Sequence, residues 1–102
     1  LDQSLQYIVR ALELKPGNGY IQDSLGWVYF RLGKLERAEK ELRKALELVP
    51  EDPHIHDHLG DVYRAMGDVE KARRAYRAAL EQFEDGKKRD AVQKKHDELE
   101  TL

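Results

Sequence analysis

Three of the chain's four histidines stand at alternate positions in the stretch DPHIHDHLGDVY, residues 52–63, with Asp52, Asp57 and Asp61 beside them. Imidazole and carboxylate are what a zinc ion takes, three or four at a time in tetrahedral array. If the stretch is helical, His54 and His58 share a face, while His56 points about 200° away from His54. Three alternate histidines of one helix therefore cannot converge on one ion. The set that survives is His54, Asp57, His58 and Asp61, spaced i, i+3, i+4 and i+7. A single helical stripe usually supplies two ligands, short of what zinc requires. The expectation is no metal and no cofactor.

Other chemistry is less well supplied. The two serines, Ser4 and Ser24, lack a strand-turn-helix elbow. Ser24 with His58, Asp23 and Asp57 would have no oxyanion hole and no pocket that excludes water. Asp57 and Asp61 lie one helical turn apart on a face expected to be solvated, which gives no reason for a raised acid. Gly17, Gly19 and Gly26 are too scattered for a phosphate loop and follow a helical pattern rather than a strand. Without cysteine there is no thiol nucleophile, disulfide or cysteine zinc site. The chain is expected not to be an enzyme.

The elements that position these residues repeat. Residues 19–52 laid over 53–86 coincide at thirteen positions without a gap, among them Leu25/Leu59, Gly26/Gly60, Tyr29/Tyr63, Gly33/Gly67, Ala38/Ala72 and Ala45/Ala79. The period is 34 residues, and ALELKPGN (11–18) aligns with ALELVPED (45–52) one period earlier. The chain thus divides into the second helix of a truncated unit (1–18), full units at 19–52 and 53–86, and a different tail at 87–102. Ile21, Leu25, Val28 and Tyr29 mark one helical stripe; Leu35, Ala38, Leu42, Ala45 and Leu46 mark a second. Gly33 and Gly67 fit the left-handed residue that ends a helix. Asn18 and Asp52 suit N-caps, Pro53 suits the first turn, and Pro16 and Pro50 follow the second helices. Mid-helix Gly26 and Gly60 predict a neighbouring helix that comes very close.

Size and composition agree. The 102 residues make one domain, and 37% are charged, yet the formal net charge of −2 marks no nucleic acid or anionic membrane as a partner. The longest apolar runs, such as WVYF at 27–30, are far too short to span a bilayer, so no membrane insertion is expected. No basic-then-apolar leader opens the chain, and with its abrupt start at Leu1 any targeting signal is expected to have been lost. The compartment stays open.

Leu25-Gly26-Tyr29-Gly33-Ala38-Leu42-Ala45-Pro50, and Leu59-Gly60-Tyr63-Gly67-Ala72-Tyr76-Ala79 one period on, resemble the tetratricopeptide repeat. The match departs at Glu84, which replaces the terminal proline, and at Gln22 and His56, which replace an early aromatic. The wording DSLGWVYFRLG…DPHIHDHLGDVY is similar to C-terminal repeats of longer bacterial proteins of this family. The resemblance implies an all-α fold of tandem antiparallel helix-turn-helix repeats, stacked as a right-handed superhelical solenoid. It also implies a concave groove lined by the first helices, at places 2, 5, 9, 12 and 13 of each unit. Those places hold Tyr20, Asp23, Trp27, Phe30 and Arg31, then His54, Asp57, Asp61, Arg64 and Ala65. Trp27 has two readings: a groove anchor, or a packing residue near Val9 or Leu12.

The family's two-carboxylate clamp for chaperone tails needs lysine, asparagine and asparagine where this chain has Asp23, Trp27 and His58. An aspartate repels a carboxylate, so that ligand is excluded. The groove is expected instead to take a protein or peptide segment with apolar anchors and a basic residue. In the tail, Val92, His96 and Leu99 form a thin amphipathic stripe that suits a polar-faced capping helix. KKR and KK, interleaved with acids, read as a solvated face rather than a nucleic-acid patch. At the other end Leu5, Ile8, Val9 and Leu12 form a stripe expected to be bare, which implies either a longer parent protein or self-association through that edge. Two functions result: a peptide-binding scaffold or, alternatively, a structural segment that stacks end to end or spaces other domains.

Overall fold

Helix starts and stops are set by side chains that answer orphaned backbone groups. In this computed structural model, which describes residues 2–84 and 86–101, the Asn18 side chain accepts from the N–H groups of Tyr20 (3.0 Å) and Ile21 (3.1 Å). One period later Asp52 accepts from His54 (2.8 Å) and Ile55 (3.3 Å), with Pro53 in the first turn. Gly33 (φ 78°) and Gly67 (φ 84°) turn the chain at the other ends. There the N–H of Lys34 donates to Tyr29 O (2.9 Å), and that of Asp68 to Tyr63 O (3.0 Å). The ends predicted at Leu1 and Leu102 lie outside the described residues.

Among the described residues the elements are α1 (Asp2–Leu14), α2 (Gly19–Arg31), α3 (Leu35–Leu48), α4 (Pro53–Met66), α5 (Val69–Gln82) and α6 (Lys87–Glu100), with no strand. The fold class is all-α, and the helices pair as helix-turn-helix repeats. No described helix is long and apolar enough to cross a membrane. The chain divides into two compact units, Leu1–Pro50 and Glu51–Leu102. In the first, α2 packs on α3 and α1 on α2; in the second, α4 packs on α5 and α5 on α6.

The expected stripes form the interior. Leu25, Val28, Ala38, Leu42 and Ala45 are buried in the first unit, with Ile21 and Tyr29 half-buried. In the second, Ile55, Leu59, Val62, Tyr63, Ala72, Tyr76 and Ala79 are buried, and Val92 and Leu99 of α6 join them. Each large apolar side chain so enclosed contributes about 1.5–3 kcal/mol. The N-terminal stripe is less bare than expected: with α1 packed on α2, Leu5, Ile8 and Leu12 are half-buried and Val9 exposed. The most exposed apolar side chains of α1 are Tyr7 (67%) and Leu14 (73%).

The mid-helix glycines sit where the hairpins close. A Cβ on Gly26 would lie 2.7 Å from Leu42 Cγ, and one on Gly60 would lie 2.5 Å from the Tyr76 ring. Tyr76 has no room to yield, being fully buried with its hydroxyl bonded to Asp61. Gly60→Ala sets a helix-propensity gain of about 1 kcal/mol against overpacking of about 1–3 kcal/mol, and the clash wins here. The variant is expected to lose up to about 2 kcal/mol and to melt at lower temperature, as measured by circular dichroism.

Candidate functional site

The residues expected in the groove stand on the first helices, α2 and α4. On α2, Trp27 and Phe30 stand three apart, so their rings meet on one side of the helix. They stack with centroids 4.9 Å apart and an interplanar angle of 28°. Both are half-buried, so the pair is a packed aromatic unit with part of its surface in solvent. Asp23 is half-buried, while Tyr20 (62%) and Arg31 are exposed. Ser24 bends its hydroxyl back to donate to Tyr20 O (3.1 Å), the usual local use of a mid-helix serine. Gln22, at a place where the family has an aromatic, donates to Glu41 of α3.

On α4 the arrangement differs. The expected solvated acids are engaged: Lys95 Nζ of α6 lies 2.6 Å from Asp57 Oδ1 and 2.9 Å from Asp61 Oδ1. Its ammonium stands 5.2 Å from the Tyr76 ring centroid, and the Tyr76 hydroxyl donates to the same Asp61 oxygen (2.5 Å). The chain's own lysine thus already sits on both of the acids expected to meet a partner's basic residue. Arg64, also expected in the groove, donates to Glu98 of α6 at 2.9 Å. His54 meets Phe83 edge-on at 5.0 Å, and Ala65 is exposed. Among the described residues no three histidine, aspartate or glutamate side chains are grouped as a metal ion would need.

The sequence reading missed Lys95, Glu98, Tyr76 and Phe83. The period contained the signal for two of them: Asp61 and Lys95 are 34 apart, and so are Arg64 and Glu98. Equal places in successive units carry opposite charges. Gln93, Lys94 and Asp97 replace Leu-Gly-Tyr in the tail, yet Lys95 and Glu98 keep the beat of Asp61 and Arg64.

Local electrostatics follow from this packing. Burial pushes the Tyr76 hydroxyl well above its ordinary value, and the hydrogen bond to Asp61 pushes the same way. For Lys95, burial works to lower the pKa, but hydrogen bonds to Asp57 and Asp61 outweigh it and leave the ammonium favoured. Glu98 is held below its ordinary value by its hydrogen bond with Arg64, and Arg64 is raised by the same bond. None of this poises an acid or base near neutral pH. It fixes charges.

Residues 24–101 match the model of the family described as "Tetratricopeptide repeat-like domain", and the chain belongs to that family. A search of curated proteins finds no significant match. Among solved structures, a thermophilic TPR protein of Thermus thermophilus is 29% identical over 99% of this chain, with a TM-score of 0.85. This chain spans 50% of that protein's length. The first TPR of Spaghetti, bound to an HSP90 peptide, is 19% identical over 98% of this chain and 77% of its own, with a TM-score of 0.88. PcrH, in complex with the chaperone-binding region of PopD, is 17% identical over 98% of this chain and 76% of its own, with a TM-score of 0.82. The last two share the fold.

The charge cluster predicts a pH signature. Tyr76 and Lys95 both have folded-state pKa values above their ordinary values of 10.0 and 10.5, so the native state keeps protons that the unfolded chain releases. Their contribution is complete below about pH 10 and is lost as pH rises beyond it. Urea unfolding at stepped pH should show stability falling above about pH 10, with a shallower fall in Tyr76→Phe. Parallel slopes for the two proteins in that window would contradict the assignment.

Proposed function

We propose that the chain is a non-catalytic scaffold in which the outward face of a first helix holds a segment of a partner protein. The principal anchor is the Trp27–Phe30 pair on α2. The observation that carries this reading is the stacked, half-exposed ring pair itself. Large aromatics fixed by a neighbour present apolar area at little entropic cost, and such residues dominate binding energies. Peptide-bound relatives of the same fold, PcrH with its PopD region and the Spaghetti repeat with its HSP90 peptide, support a segment as the ligand. The acid at Asp23 and the ring at Trp27 disfavour a carboxylate-terminated tail. An apolar segment, extended or helical, suits the face better.

A second reading, self-association, draws support from the exposed Tyr7, Val9 and Leu14 on α1. Light scattering that gives a monomer at high concentration would count against it.

Trp27→Ala is expected to weaken binding of apolar heptapeptides about tenfold or more by fluorescence anisotropy, while leaving helix content intact. Unchanged affinity would remove the α2 face from the reading.

A further inference from the structure

In the second unit the aspartates and the arginine expected to meet a partner are engaged inside the chain: Asp57 and Asp61 share Lys95, and Arg64 pairs with Glu98. We propose that Lys95 is the specificity-determining residue of the α4 face. It takes the seat that a partner's lysine would otherwise fill, so this face withholds its two-carboxylate contact from basic segments. The proposal rests on the peptide-scaffold reading above and names which peptides the scaffold accepts.

Three observations carry it. The Lys95 ammonium lies within 2.6 and 2.9 Å of two carboxylates and 5.2 Å from the Tyr76 ring, which is the full set of contacts a bound alkylammonium would seek. Lys95 does not depend on those contacts to be there. Its helix is anchored by Val92 (1% exposed) and Leu99 (0%), and by Arg73 donating to Leu99 O (3.3 Å). The ammonium is thus presented in cis at an effective concentration that a dilute partner does not reach. Finally, Asp57, Asp61 and Lys95 are each half-buried, so the two carboxylates are held on the Lys95 ammonium and a second ammonium arriving there finds their shared seat filled.

Removing Lys95 reverses the preference. Two half-buried carboxylates one helical turn apart would then lack their cation, and a lysine from a partner would supply it. Because Val92 and Leu99 still hold α6, Lys95→Met is expected to keep the fold, which circular dichroism and a thermal melt verify.

The test uses the full chain and two matched sets of capped heptapeptides, apolar except for one central lysine or, in its place, norleucine. Wild type should bind the norleucine set at least as well as the lysine set. Lys95→Met should favour lysine by about tenfold, Asp57→Asn added to it should abolish that gain, and Lys95→Arg should behave as wild type. A merely structural role for Lys95 would change affinity for both sets equally. The proposal fails if Lys95→Met gains no lysine preference. Trp27→Ala in the same assay separates the two ideas: if it weakens binding while Lys95→Met changes nothing, the scaffold reading stands and the Lys95 proposal falls. If Trp27→Ala has no effect, the anchor assignment falls on its own evidence.

Discussion

A glycine in the first helix faces a large side chain in the second, and the rest of each hairpin follows from that approach. Gly26 leaves room for Leu42 and Gly60 for Tyr76. Mid-helix glycine is disfavoured by about 1 kcal/mol, so it persists where a Cβ cannot fit. Small residues on the opposing helix, Ala38 and Ala45 or Ala72 and Ala79, let the two axes run close, and all four are fully buried. Once the seam is fixed, the outward residues of the first helices are fixed too. We propose that binding uses what the seam leaves over.

The two leftover faces are chemically unlike. On α2 the outward side chains form a ring stack, while on α4 they form a charge cluster completed by α6. Repetition of the backbone does not repeat the surface, because the packing rule acts on inward places alone. Other contacts do repeat. Arg37 stands 5.6 Å from the Tyr29 ring centroid, and Lys71 stands 5.5 Å from Tyr63. Those pairs hold equal places in the two units, beside the seam.

Much of the fold was legible in the sequence. Caps at Asn18 and Asp52, turns at Gly33 and Gly67 and the buried alanines all obey local rules that a single chain displays. The chemistry of the outward places was less so. Whether an aspartate is solvated depends on a partner more than thirty residues away, and Asp57 was read as open because its cation lies in the irregular tail. Lys95 was hidden because Gln93, Lys94 and Asp97 break the Leu-Gly-Tyr motif of the same helix. The Trp27–Phe30 stack was half legible: the spacing placed both rings on one side, while their degree of exposure is a property of packing.

The central claim is that Tyr76 fills the space that Gly60 leaves, and a double-mutant cycle tests it most directly. Beside a full-size Tyr76, alanine at Gly60 should destabilise; in a Tyr76→Ala background the same change should stabilise, because the clash is gone and only the helix-propensity gain remains. Chemical denaturation of the four proteins reads this out. A reversal of sign is the predicted result, and an equal loss in both backgrounds would contradict the account.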